Sequence, residues 1–206
     1  MTDIAASSAA LSSTDILAFH DRCVADRAWA ASGAARYDEG VWAFIELNHR
    51  NNNLLWDEED LARRRDVPDS AIAANKRAID GYNQRRNDAV ERIDEIILGS
   101  LGAATVAADA RLNSETAGSM IDRLSIMALK VFHMGLQTER TDVDAAHLEA
   151  CRAKLTRLNE QRRDLAACLD ALLADCAAGR AYYKVYRQFK MYNDPALNPC
   201  LYGALR

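Results

Sequence analysis

Apolar residues recur every three or four positions along most of this chain, the period of an α-helix that buries one face. The recurrence is sharpest in the last third. There Leu148, Cys151, Leu155, Leu158, Leu165, Leu169, Leu172 and Cys176 share a face, and Thr141 and Asp142 suit the start of that helix. A similar stripe of Ile121, Leu124, Ala128 and Val131 predicts a helix over 116–137. Before it, Pro68 opens a helix expected to reach residue 98, where Gly99 and Gly102 break the pattern. Trp42, Ile45, His49, Asn53, Trp56 and Asp60 fall on one side of a helix predicted over 38–65, which should pair with the next as a hairpin. A shorter helix is predicted over 15–30, with Ser13 or Thr14 as N-cap and Gly33 beyond its end.

No stretch alternates β-branched and polar residues, so no strand is expected, and 99–115 reads as the longest loop. The fold class is therefore all-α: an antiparallel bundle of four long helices with a short N-terminal helix and a C-terminal aromatic helix over 180–192. Residues 1–13 are expected to be disordered. Residues 193–206 should lie as an extended tail held by Leu197, Leu201 and Tyr202.

Composition narrows the picture. With 206 residues, 50% hydrophobic and 27% charged, the chain suits a single globular domain over 1–206. A net charge of −4 and a pI near 5.6 argue against nonspecific nucleic-acid binding, which needs excess Lys and Arg to displace counterions. The apolar runs at 96–98 and 126–129 fall far short of the roughly 20 residues that span a bilayer. The first residues lack the basic start and apolar stretch of a secretory signal. The 5 cysteines show no C-x-x-C spacing, so they read as free thiols of a cytoplasmic protein, with Cys168 and Cys176 packing as small apolar groups. A homo-oligomer is left open.

The candidate chemistry lies where polar residues interrupt apolar stripes. In the helix opened by Pro68, Lys76, Asn83 and Arg86 interrupt Ile72, Ile79, Val90, Ile93 and Ile97. Burying such groups costs several kcal/mol unless each finds a partner. Facing helices offer Glu46, Asn53, Asp57 and Asp60, then Asp122, Ser125 and Lys130, then Gln161 and Arg162. Two readings follow: an internal network that only fixes helix register, or a polar pocket for a charged small ligand. In the pocket reading Lys76, Arg86 and Arg162 suit a phosphate or carboxylate, as in a sugar phosphate or nucleotide. The C-terminal aromatics Tyr182, Tyr186 and Phe189 are spaced for core packing; with Lys184, Arg187 and Lys190 among them, they also suit an aromatic and cationic platform.

His49 lies on an inward stripe and reads as a satisfied core group, while His20, His133 and His147 are scattered. No Ser-His-Asp or Cys-His spacing appears, so no catalytic residue is assigned. Gly118 is a lone glycine at a helix start and forms no phosphate loop. The carboxylates give a second candidate: Asp57-x-x-Asp60 with Glu58 and Glu59 on one helix and Glu91-x-x-Asp94 on the next could hold Mg²⁺. This resembles the all-α nucleotide pyrophosphohydrolases, whose E-x-x-E and E-x-x-D motifs carry magnesium, with Asp57 and Asp60 standing in for glutamates. One-turn acidic pairs are also ordinary on solvated helix faces. The anion-pocket candidates are thus Asn53, Asp60, Lys76, Asn83, Arg86, Asp122, Lys130, Arg162 and Lys190. The metal candidates, second to these, are Glu58, Glu59, Asp60, Glu91 and Asp94.

Four stretches resemble an uncharacterised bacterial all-helical domain family often encoded beside lipopolysaccharide and other cell-envelope glycosyltransferases. They are N-L-L-W-D-E-E-D-L-A-R (53–63), K-R-A-I-D-G-Y-N-Q-R-R-N-D (76–88), N-S-E-T-A-G-S-M-I-D-R-L-S-I-M-A-L-K (113–130) and Y-R-Q-F-K-M-Y-N-D-P-A-L-N-P (186–199). The likeness covers the chain from about Trp42 onward, and Asp60, Lys76, Asn83, Arg86, Asp122 and Lys130 fall within its motifs. It implies bacterial origin and a link to envelope polysaccharide assembly; together with the polar stripes, the leading expectation is an accessory protein that holds an anionic sugar or nucleotide sugar in the polar interior of the bundle. A structural scaffold pairing with a glycosyltransferase is the alternative, and the family carries no established activity to transfer.

Overall fold

The computed structural model describes residues 11–26, 28–101, 106–187 and 194–203, with the backbone alone at 201 and 202. In chain order the elements are α1 (Ser13–Ala25), α2 (Trp29–Ser32), α3 (Gly40–Leu61), α4 (Asp69–Leu101), β1 (Arg111–Leu112), α5 (Ala117–Thr138), α6 (Ala145–Ala177), β2 (Ala181–Tyr182) and α7 (Pro199–Tyr202). The protein is all-α and the expected long helices are present; α4 runs through Gly99 to Leu101 instead of breaking there, and side-chain caps open α1, α5 and α6. The Ser12 hydroxyl accepts from the Asp15 N–H, so α1 starts earlier than the periodicity suggests. Thr116 caps α5 through the Ser119 N–H, and Asp144 caps α6 through the His147 N–H. Gly33 ends α2 with a φ of 71°, a left-handed conformation that glycine adopts at little cost.

Several expectations are corrected. Two short strands exist among the described residues: β1 pairs in parallel with β2, the Arg111 N–H donating to the Arg180 carbonyl and the Asn113 N–H to the Tyr182 carbonyl. A pairing so distant in sequence leaves no local pattern. The same pairing rules out a helix at the start of 180–192: Gly179, at φ 70°, turns the chain out of α6, and residues 183–187 continue without helix. The remainder of that segment, 188–192, lies outside the described residues. Within the expected tail, residues 199–202 form α7, capped by Asn198. Of the stretch expected to be disordered, Ser12 and Ser13 are ordered by α1; residues 1–10 lie outside the described residues. Cys168 is exposed rather than packed, whereas Cys176 is buried.

Packing is most extensive between α3 and α4 and between α5 and α6, and α1 lies against both α5 and α6. Asp170 of α6 accepts from the Ser13 backbone N–H and hydroxyl at 2.8 and 2.6 Å, and Arg162 of α6 grips Asp21 at 2.8 Å, pinning α1 at both ends. Phe19 fills the centre of this packing, with the rings of Trp29, Tyr37, Trp42 and His49 around it at 5.7–6.4 Å. Edge-to-face ring contacts of this kind add about 0.5–1.5 kcal/mol each beyond area burial.

Gly118 has a packing role. A Cβ there would fall 2.6 Å from the Val90 carbonyl oxygen and 2.9 Å from the Asp94 carboxylate. Asp94 is buried in α4 and accepts from the Gly118 N–H at 2.6 Å, so α4 crosses the start of α5 at backbone contact distance. Gly118→Ala should therefore cost about 1–3 kcal/mol of stability through overpacking, read as a lower denaturant midpoint.

Two imidazoles share the core. His20 and His49 are fully buried with ring centroids 4.3 Å apart, and among the described residues neither His20 nitrogen has a hydrogen-bond partner. Burial drives both below the usual histidine range, His49 to about 3, with the Arg162 charge adding to the effect on each. Below the unfolded value of about 6.5 the unfolded chain takes up protons that these folded imidazoles refuse, so the stability they supply at neutral pH is lost as pH falls. Asp94 opposes them: burial raises its carboxyl to about 6, so protonation there favours the fold as pH drops through that value. Asp57, whose carboxyl burial also raises, acts in the same sense as Asp94, but the two imidazoles titrate over the wider range, so stability falls on balance as pH drops from about 6.5. Denaturant midpoints measured from pH 7 to 4.5 should fall accordingly, and His20→Leu should flatten the slope.

Candidate functional site

Asp122 of α5 is buried, and a carboxylate removed from water needs donors in place. Asn48 and Asn52, one turn apart on α3, each donate to its Oδ1 at 2.9 Å. From α4, Arg86 brings Nε to 3.1 Å of the same oxygen, an ion pair whose geometry is not that of a hydrogen bond. The arrangement continues inward. Asn52 also donates to the Ser125 hydroxyl at 2.9 Å, Ser125 meets His49 Nδ1 at 2.7 Å, and His49 Nε2 lies 3.3 Å from the His20 carbonyl oxygen. A connected polar chain therefore runs from Arg86 through α5 and α3 to α1.

At its outer end the chain meets a cleft of about 320 Å³ between α3, α4 and α5. Asn52 and Arg86 form its polar inner edge; Leu55, Trp56, Ile126 and Leu129 give apolar walls. The rim carries Glu59, Asp60 and Arg63, with Glu59 and Arg63 paired at 3.1 Å. Trp56 is not loose: His133 of α5 stacks on it at 4.6 Å with an interplanar angle of 10°. Arg86 is steadied as well, its Nη1 donating to Asn83 Oδ1 at 3.3 Å one turn earlier. A planar cation and a fixed indole thus share one concave surface.

The sequence-derived candidates divide. Asn83, Arg86 and Asp122 are brought together, and Asp60 reaches the same cleft from an exposed position on the rim. Lys76 is exposed on α4 and Lys130 exposed on α5, because the helices turn these positions off the shared face. Asn53 donates to the His49 carbonyl at 2.7 Å within its own helix. Arg162 is buried and donates to the exposed Asp21 and to the Leu17 carbonyl, contacts that dock α1. Lys190 lies outside the described residues. Glu46 is buried, but it accepts from the backbone N–H groups of Arg36 and Tyr37 and pairs with Arg50 at 3.0 Å.

The carboxylates considered for Mg²⁺ are dispersed. Glu58 accepts from Asn75 at 2.6 Å, Glu59 faces Arg63, Glu91 lies 3.7 Å from Arg187, and Asp94 is spent on the start of α5. Among the described residues no group of three or more His, Cys, Asp or Glu side chains is placed to share a metal ion. The α3 and α4 pairs do not face each other across a common centre.

Asn48, Asn52 and His20 are members the polar pattern did not single out. A signal for the first two exists: they lie three and seven residues after the core residue Ile45, in phase with it, whereas Asn53 is one residue further round the helix. Trp56 lies on the stripe with Ile45 and His49, but its stacking partner His133 has no spacing signature.

No described helix is long and apolar enough to cross a membrane. Comparison with curated proteins and with solved structures yields no match to either. A family model described as a protein of unknown function, DUF4254, matches residues 42–185. That stretch holds α4, α5 and α6 whole and α3 from its third residue, and with them every side chain of the cleft and of the polar chain behind it. Since it spans well over half of the sequence, the chain belongs to the DUF4254 family.

Proposed function

We propose that this protein binds a phosphorylated sugar or nucleotide sugar in the cleft between α3, α4 and α5, as a cytoplasmic, single-domain accessory of cell-envelope polysaccharide or lipopolysaccharide synthesis. The observation that carries the reading is the pairing of Arg86 with Trp56 on one surface, each held by a partner behind it. Among the described residues Arg86 Nη2 donates to no protein group, so one side of the guanidinium is open to an oxyanion. The C–H face of a sugar ring suits the electron-rich face of an indole. Glu59 and Asp60 are acceptors for sugar hydroxyls, and their charge disfavours a dense polyphosphate at this point. A moderately charged sugar derivative fits that balance better than a free nucleoside triphosphate. The envelope role rests on the resemblance of the four sequence stretches.

Titration calorimetry with glucose 1-phosphate and with UDP-glucose tests the reading. Wild type should bind at least one of them, and Arg86→Ala should weaken that binding tenfold or more, about 1.4 kcal/mol, with helical content by circular dichroism unchanged. Arg86→Lys, which keeps the charge without the fork, should recover only part of the loss. Equal affinity in Arg86→Ala would place the ligand elsewhere. No heat with either compound would leave the scaffold role, with a glycosyltransferase as partner, as the better account.

A further inference from the structure

A second concavity, about 620 Å³, lies between α5 and α6. Ile126 lines both it and the Trp56 cleft, so the two adjoin across one side chain of α5. The walls of the groove include Met120, Met127 and Leu165, which are buried or half-buried, while Gln161 and Asp164 of α6 stand exposed at its edge. Lys130, one turn beyond Ile126, also lines it and among the described residues makes no ion pair. Arg123 at the groove is already matched by Glu115 at 2.8 Å.

We infer that the groove is the second half of the same ligand site and takes the nucleoside of a nucleotide sugar laid across α5. The assignment rests on the proposed sugar site and deepens it from a sugar derivative to a nucleoside diphosphate sugar. Three placements support it. Arg86 and Lys130 are cations on the two sides of Ile126, where a diphosphate linking a sugar over Trp56 to a base in the groove has to cross. Met127 and Leu165 offer polarizable apolar surface for the faces of a planar base. Gln161 and Asp164 supply an amide and a carboxylate for its polar edge, the amide free of side-chain hydrogen bonds among the described residues. The groove without the cleft would hold a nucleotide with no place for its sugar, and the cleft alone is small for the whole molecule.

Cys168 is an exposed thiol on the groove wall, and Cys23, Cys151 and Cys176 are buried. In the full chain carrying Cys200→Ser, the rate at which Ellman's reagent modifies Cys168 therefore reports on the groove, while calorimetry reports binding. UDP-glucose should slow the modification at least fivefold at saturation, and glucose 1-phosphate, which binds the cleft alone, should leave it unchanged. Trp56→Ala should weaken UDP-glucose and shift the concentration needed for protection by the same factor. If UDP-glucose binds in an Arg86-dependent way yet Cys168 reacts at its unliganded rate, the groove is not part of the site and only the sugar cleft stands. Protection that Trp56→Ala and Arg86→Ala leave untouched would overturn the joint site, since the groove would then bind by itself. If neither compound binds wild type, the sugar cleft fails first and this inference falls with it.

Discussion

A carboxylate shut inside a helical protein holds its neighbours to strict positions, and Asp122 does so for three helices at once. Asn48 and Asn52 from α3 and Arg86 from α4 converge on one of its oxygens. Sliding either helix by a residue would leave the buried charge short of donors, a penalty of several kcal/mol. Apolar stripes alone are more forgiving, because leucine and isoleucine faces pack in several registers. Close contact at Gly118, one turn before Asp122, where α4 runs past the start of α5 at backbone distance, reinforces the same arrangement.

This network also borders the cleft in which the ligand is proposed to bind. Inside, Asn52, Ser125 and His49 bond to one another, whereas both His20 nitrogens stand without a partner among the described residues. At the outer edge, Arg86 and Asn52 emerge beside Trp56. The two alternatives raised by the sequence, a register-fixing network and a polar pocket, meet at Arg86, where the observed network ends at the cleft proposed to take a ligand. The inner residues fix geometry, and the cleft inherits a guanidinium whose position is set by Asp122 and Asn83. α5 is central to both, since Ile126 separates the cleft from the groove shared with α6.

Much of the fold is legible in the residues because helix signals are local. The leucine stripe of α6, the cap at Thr116 and the Pro68 start of α4 each depend on neighbours a few positions away. The errors lie where distant chain segments meet. Tyr182 and Tyr186 have helical spacing, yet Ala181 and Tyr182 are drawn into a strand by Arg111 and Leu112, a pairing that no local window contains. At the site, Arg86, Asn83 and Asp122 could be read because they interrupt apolar stripes. Asn48 and Asn52 were hidden within a polar stretch, where the phase set by Ile45 distinguishes Asn52 from its two asparagine neighbours. Lys76 and Lys130 match the stripe spacing loosely, but both stand exposed, since a long ammonium side chain at the edge of a stripe reaches water easily. Arg162 is inward and paired, but with α1, a choice of partner that spacing along α6 does not encode.

The tie between Asp122 and Arg86 is the point on which register and cleft both depend, and a double-mutant cycle measures it directly. Unfolding free energies of wild type, Arg86→Ala, Asp122→Ala and the double variant should give a coupling of about 1–3 kcal/mol, the range for contacting charged groups in one network. A coupling indistinguishable from zero would mean that the two side chains act independently, and that neither the helix register nor the position of the guanidinium is held by this carboxylate.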